Sequence, residues 1–375
     1  MSCGLYIHIP FCVSKCHYCD FNSYADKSHL VERYQEVLLS EISQFSKNRE
    51  INTIFFGGGT PSYLPPDKVL QVMEMIKRSF NCSSVYEITL ESNPETIDNT
   101  KRFAGYLEAG INRVSIGAQS FDDQILESMN RPHRAEKIPQ VVDYARKAGF
   151  ENINLDFIFG YPGQTMAIWK DTLKKAIQLL PEHISLYGLT IEPGTTLYTF
   201  VKKDNVRVLE DDLVLDMYQY ALLELKKAGY EQYEISNFSL PGKECLHNLN
   251  YWKNGEYFGF GAGAHSYIYG RRYWNIRSID EYIKQMESGQ SAVVGEERLD
   301  DKKKIAETAM LSLRLREGIN RKEFQANFQQ DPGEIFKEIF TKYCKMGLLN
   351  IEEDRIQLTV QGLYLSDSIF AELFD

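Results

Sequence analysis

Six short apolar runs, each followed by a stretch of helical periodicity, constrain the first half of this chain more than any other feature. The runs cover residues 4–9, 52–56, 87–91, 113–117, 153–159 and 183–189. Leu30, Tyr34, Val37, Leu38, Ile42 and Phe45 form one helical face between them. Val69, Leu70, Met73, Ile76 and Phe80 form another. Strand–helix alternation on this scale predicts βα units and a parallel sheet. An open doubly wound sheet and an incomplete barrel both fit, because their crossovers have the same hand.

The second half is less regular. Residues 210–229 read as a helix ending before Gly229, and 230–270 are rich in Gly, Asn and aromatics. Residues 301–316 and 334–346 read as helices, the second stopped by Gly347. Leu349, Ile351, Ile356 and Leu358 alternate around the turn Glu352-Glu353-Asp354, a hairpin pattern, and 362–373 read as a last helix. Helices with a small hairpin predict a winged-helix-like appendage. The net charge is 42 − 52 = −10 with no Lys/Arg block, so the appendage is read as packing or partner-docking rather than nucleic-acid binding. No apolar run is long enough for a membrane span, and the start lacks signal-peptide features, so the expected compartment is the cytoplasm.

Of seven cysteines, Cys12, Cys16 and Cys19 crowd into eight residues just after the first strand. The spacing C-x-x-x-C-x-x-C places three thiolates on one short loop. A structural zinc site normally needs four ligands, so zinc would have to borrow His8 or His17. A [4Fe–4S] cluster on three thiolates keeps one iron open for a substrate or cofactor. Cys3, Cys82 and Cys344 read as bystanders.

Polar residues at strand ends mark a second pattern. Gly57-Gly58-Gly59-Thr60-Pro61 follows the second strand; its glycines let backbone approach a ligand, but it lacks the P-loop lysine. Glu91 ends the third strand, Gln119 follows the fourth, Arg131 lies in the next loop, and Asp156 interrupts the fifth. A carboxylate inside such a strand needs partners, since even a neutral polar group buried alone costs roughly 2–7 kcal/mol. Ribose hydroxyls, a neighbouring Arg or backbone N–H groups would each serve Asp156.

The cysteine spacing resembles the radical S-adenosylmethionine (SAM) superfamily. Tyr6-Ile7-His8-Ile9-Pro10-Phe11-Cys12 resembles the branch holding oxygen-independent coproporphyrinogen III oxidases and HemW-type heme chaperones. The resemblance covers almost the whole chain. It implies an α/β fold, an incomplete (β/α)6 TIM-like barrel over residues 1–230. A connecting region would follow at 231–299, then a C-terminal helical, winged-helix-like domain at 300–375. It also implies a [4Fe–4S] cluster on Cys12, Cys16 and Cys19, and SAM contacts from Tyr6, Gly58, Gly59, Thr60, Glu91, Gln119, Arg131 and Asp156. Tyr18 would offer backbone to the adenine, and Arg131 would pair with the SAM carboxylate. In such families the reduced cluster cleaves SAM to methionine and a 5′-deoxyadenosyl radical, the cofactor carrying the hard chemistry.

Two readings follow from the resemblance: radical decarboxylation of coproporphyrinogen III, or heme carriage to a client hemoprotein, respiratory enzymes among the candidate clients. The oxidases resemble C-x-x-x-C-x-x-C-x-C, and here the fourth cysteine position is Phe21. They also carry a long segment ahead of the motif, whereas eleven residues precede Cys12. His247-Asn248-Leu249-Asn250-Tyr251-Trp252 resembles the H-N-x-x-Y-W signature of the chaperones, with His247 as candidate heme ligand and aromatics to cover a porphyrin face. Cys245 is an alternative ligand or a small buried side chain. His8 is expected to be structural beside the cluster, His17 to face solvent, and His133 to brace the loop of Arg131. The reading is therefore a heme chaperone with transient membrane association left open.

Overall fold

The computed structural model describes residues 3–45 and 49–374. Six strands form at the six apolar runs: β1 Cys3–Ile9, β2 Thr53–Gly58, β3 Glu87–Ser92, β4 Arg113–Gln119, β5 Ile153–Phe159 and β6 His183–Gly188. They pair in parallel in sequence order, with helices covering the connections. Leu5, Ile7, Ile9, Ile54, Phe56, Leu90, Val114, Ile116, Leu155 and Phe157 are all buried, as strands covered on their faces require. Among the described residues β6 does not pair with β1, so the sheet stays open: an incomplete (β/α)6 barrel.

Residues 231–299, read from the sequence as a connecting region, instead extend this sheet at both edges. β7 (Glu231–Gln232) and β8 (Asn237–Ser239) add antiparallel to β6. β9 (Glu256–Phe260) adds parallel to β1, and β10 (His265–Ile268), β11 (Arg271–Asn275) and β12 (Val293–Arg298) continue antiparallel. The twelve strands run β12-β11-β10-β9-β1-β2-β3-β4-β5-β6-β8-β7. Glycine disguises β9: a Cβ at Gly259 would sit 2.0 Å from the carbonyl oxygen of His265, so the tight return to β10 requires its absence.

Beyond the sheet, Leu313, Phe324, Phe340, Ile356, Leu358 and Ile369 join a separate apolar core. It lies between helices and a three-stranded sheet of β13 (Ile319–Asn320), β14 (Leu349–Ile351) and β15 (Arg355–Leu358). The helix read at 334–346 is broken at Phe336, and that at 362–373 at Leu365. Arg314 stacks its guanidinium 4.6 Å above the Trp252 ring, tying this region to the barrel.

Candidate functional site

In an open parallel sheet with helical crossovers, side chains at the C-terminal strand ends converge on one face. All thirteen residues singled out from the sequence for the cluster, SAM and heme border one cavity of about 470 Å³ at that face.

The cysteine loop is closed at its base, where Cys12 N donates to Tyr24 O (3.0 Å) and Tyr24 N to Pro10 O (2.7 Å). Within it Lys15 Nζ donates to Phe21 O and Ser23 Oγ, each at 2.7 Å. Every thiol has a polar neighbour. Thr60 Oγ1 donates to Cys12 Sγ (3.5 Å), Arg131 Nη1 to Cys16 Sγ (3.4 Å), and Cys19 Sγ lies 3.9 Å from the Ser23 hydroxyl. No disulfide joins them. Burial pushes the Cys12 and Cys19 thiols up from their ordinary value. Among the described residues no three His, Cys, Asp or Glu side chains are placed to hold a single metal ion.

The glycine run packs against the same loop. A Cβ on Gly59 would lie 2.8 Å from Phe11 O and 2.9 Å from the Pro10 carbonyl carbon, so the two backbones touch. Gly58 has φ +114°, and its Cβ would meet the His8 ring at 2.5 Å. Thr60 and Arg131 are joined through Asn93, which the sequence reading missed. Asn93 Nδ2 donates to Thr60 Oγ1 (2.8 Å) and Asn93 Oδ1 accepts from Arg131 Nη2 (2.7 Å). Arg131 also donates to Gly117 O (2.9 Å) and lies 3.9 Å from Glu95. Its side chain is enclosed, and its Nε is buried without a partner. Burial opposes the charge on Arg131, but Tyr18, Cys16 and Glu95 outweigh it and hold the guanidinium protonated. His133 bridges Glu95 (3.2 Å) and Ala118 O (3.3 Å), bracing this loop.

Across the cavity, Asp156 accepts from Ser115 Oγ and Asn154 Nδ2, each at 2.8 Å, so its partners are neutral donors rather than an ion pair. Glu91 accepts from Gly58 N (3.1 Å). Burial, then the nearby Asp156, pushes the Glu91 carboxyl up to about 8. Tyr6 donates to or accepts from His8 Nδ1 (3.1 Å) and stacks on Phe55. Gln119 takes φ +64° where β4 and β5 slip register, an uncommon conformation for a residue with a side chain. Tyr18 meets Tyr161 edge-on at 6.4 Å.

His247 lies on the helix Leu246–Trp252, whose first amides, Leu246 N and His247 N, donate to the buried Glu87 carboxylate at 2.9 and 2.8 Å. The imidazole is 0% exposed. Nδ1 bonds to Thr53 Oγ1 (2.8 Å), Nε2 to the Tyr251 hydroxyl (2.9 Å), and the ring stacks on Phe55. Burial pushes its pKa down to about 3, so it is neutral, but neither nitrogen is free in this arrangement. Use of His247 on iron requires Thr53 or Tyr251 to let go. Trp252 holds Arg314 and does not border the cavity, whereas Tyr251 packs edge-on against Tyr257 (4.6 Å) and does border it. Cys245 is fully buried, with Sγ 3.6 Å from Glu87. His17 does not simply face solvent: it is half-buried, bonds to Ser128 O (2.9 Å) and meets Phe200 edge-on.

A profile of the radical SAM superfamily matches residues 6–176, and one of the HemN C-terminal domain matches residues 299–365. The chain is 36% identical to the heme chaperone HemW of Bacillus subtilis over 369 residues, 97% of each chain. It is 34% identical to the heme chaperone HemW of Lactococcus lactis over 97% of this chain and 95% of that one. The solved structure of coproporphyrinogen III oxidase (HemN) from Escherichia coli superposes with a TM-score of 0.86, covering 100% of this chain and 90% of that chain at 24% identity, a likeness of fold.

Proposed function

The chain belongs to the radical SAM superfamily and, within it, to the HemW heme chaperone family, and on that premise we propose that it binds heme and delivers it to a client hemoprotein. It carries one [4Fe–4S] cluster on Cys12, Cys16 and Cys19 and SAM in the cavity beside them.

The residues present suit both groups. Three thiols, each beside a hydroxyl or guanidinium, make a donor set for a cluster with an open iron. The backbone of Gly58 and Gly59 with Thr60 borders the cavity, held there by close packing on His8 and Phe11, and takes the amino-acid end of SAM. Arg131, with its buried Nε unpaired, holds the SAM carboxylate by a charge-assisted bond. Asp156 and Glu91 accept from hydroxyl and ammonium donors, Tyr6 and Gln119 close the two sides, and Tyr18 presents backbone. The bound cluster supplies one-electron chemistry at the sulfonium; the protein's part is to hold the carboxylate, fix the thiolates and exclude water.

The observation that carries the chaperone reading over decarboxylation is Phe21. The position two residues after the third cluster cysteine holds an aromatic ring 66% exposed at the mouth of the cavity. It gives the mouth an apolar edge for a flat apolar cargo and no further thiol. Among the described residues no helix is long and apolar enough to cross a membrane. We place the protein in the cytoplasm, where its thiols stay reduced.

The test is one anaerobic preparation split in two. Reconstituted protein is expected to hold about four irons per chain, lost when Cys12, Cys16 and Cys19 are replaced by Ala, and to give a saturable Soret shift with hemin. The other half, given reductant, SAM and coproporphyrinogen III, is expected to form no product. Product formation overturns the chaperone reading, and retained iron in the triple variant overturns the ligand set.

A further inference from the structure

A second cavity, of about 480 Å³, opens beside the first and shares with it Tyr6, Asp20, Phe21, Gly58, Glu91 and Tyr251. Its outer wall comes from the strands that extend the sheet past β1. β9 runs parallel to β1, so its C-terminal end lies at the same face as the cysteine loop. The chain turns there, and β10 begins with His265; β11 returns to the same level, and Arg277 follows it by two residues. The turn is stitched to the cysteine loop, since Asn22 Nδ2 donates to Ala262 O and to Arg277 O, each at 2.9 Å.

His265 differs from the other histidines near the two cavities. His8, His17 and His247 each have hydrogen bonds to ring nitrogens. His265 is exposed, and among the described residues no hydrogen-bond partner reaches its ring. Its only ring neighbour there is Trp274, opposite it across β10 and β11, stacked at 5.8 Å and 26°. Partial burial, with Arg272 and Arg277 nearby, pushes its pKa below the ordinary value, so the ring is neutral near pH 7 and its lone pair is available. Arg277 is exposed and pairs with no carboxylate among the described residues.

A cavity lined by an unengaged imidazole, an unpaired guanidinium and the rings of Phe21, Tyr251 and Tyr257, with the carboxyls of Asp20 and Glu91 on the wall it shares with the first cavity and away from the Arg277 side, suits a flat apolar metal complex whose carboxylate arms turn toward Arg277. We propose that this second cavity seats heme, with His265 as axial ligand to iron and Arg277 paired with a propionate. This rests on the heme reading above and makes it specific to a place. An imidazole nitrogen lone pair forms the bond to iron, displacing a weakly held water, with no change in oxidation state. Heme then lies beside the SAM cavity, against the wall of Tyr6, Asp20, Phe21, Gly58, Glu91 and Tyr251 that the two cavities share.

The test is hemin titration of the full-length, cluster-loaded protein, with resonance Raman spectra of the ferrous complex. Wild type is expected to show an iron–histidine stretching band. His265→Ala is expected to lose the band and weaken binding about tenfold or more, and added imidazole to restore the spectrum. Arg277→Gln is expected to weaken binding about two- to fivefold, the range of an exposed charge pair. His265→Met, which keeps a donor, gives a shifted spectrum and guards against misfolding; His29→Ala, an exposed histidine bordering neither cavity, changes nothing. A band that survives His265→Ala, or a His265→Met spectrum identical to wild type, overturns this assignment while the chaperone reading stands. Failure of wild type to bind hemin removes both.

Discussion

Thr60→Val isolates one hydrogen bond to the proposed cluster. Arg131 can only donate, so Asn93 must turn its oxygen toward Arg131 and its amide nitrogen toward Thr60. Thr60 Oγ1 therefore accepts from Asn93, and its own proton is left for Cys12 Sγ at 3.5 Å. Valine keeps the shape of threonine and removes the hydroxyl. A donor to a cluster sulfur favours the reduced, more negative state, so its loss lowers the reduction potential. One such bond is worth about 1 kcal/mol, which for a one-electron couple is about 40 mV. The three thiols are untouched, so iron content is expected to stay at the wild-type level. The assay is a potentiometric titration of the reconstituted protein, followed by electron paramagnetic resonance of the reduced cluster. Thr60→Ser keeps the hydroxyl and is expected to return the potential to the wild-type value. An unshifted potential in Thr60→Val, or a serine variant as low as the valine one, refutes the directed proton.

Gly59→Ala is expected to cost about 1–3 kcal/mol, the range for overpacking, because the new methyl meets only backbone, Phe11 O at 2.8 Å and Ile9 O at 3.0 Å. The displaced backbone leads straight into Cys12, so the iron-to-protein ratio is expected to fall with the thermal midpoint; Gly194→Ala, strained by its φ of +91° but with nothing within 4 Å, is expected to lower the midpoint alone and keep its iron. His247 is held neutral with a folded pKa of about 3 against an unfolded value of about 6.5. Between those values the unfolded chain binds the extra proton, so stability falls as pH drops below about 6.5, by about 1.4 kcal/mol per unit for this group. His247→Gln is expected to flatten that acid limb in denaturant titrations at pH 4 to 7; an unchanged limb refutes the buried neutral ring.

The six barrel strands were legible because burial on both faces writes them as apolar runs, and polar residues at or just after some of those runs, such as Glu91 and Gln119, pointed to the strand ends. β9 was not legible by the same logic. Glu256-Tyr257-Phe258-Gly259-Phe260 has a half-buried start and a glycine, and what makes it a strand is its parallel partner β1, some 250 residues away in the chain. The breaks at Phe336 and Leu365 were hidden too, since the periodicity of each helix continues through them. The site divides in the same way. Cysteines and strand-end carboxylates announce themselves by type and spacing. Asn93 and Ser115 do not, because an Asn after a strand or a Ser within one is common. Their meaning comes from Thr60 and Arg131, or Asp156, reached across the sheet. The H-N-x-x-Y-W string is visible in the sequence, but sequence carries no sign that Thr53 and Tyr251 occupy both ring nitrogens of His247.

The misread stretch explains how one face could serve two ligands. A closed barrel would have one mouth, and a cluster with SAM would fill it. Here β1 pairs on its outer side with β9 instead of closing the ring, and β9 to β12 carry the sheet, and its C-terminal face, sideways from the cysteine loop. That displacement matters electrostatically. The chain is acidic overall, at −10, and a cargo with two propionates is repelled by such a surface unless cationic groups stand where it docks. Arg113 and Arg131 border the first cavity, where Asp156, Glu91 and Glu95 already neighbour them. Arg277, beyond β11, shares the second cavity with Asp20 and Glu91 but forms no ion pair with either, or with any other carboxylate among the described residues. Extending the sheet thus brings an unspent positive charge and an unspent imidazole within reach of the mouth while leaving the charges around the cluster balanced among themselves.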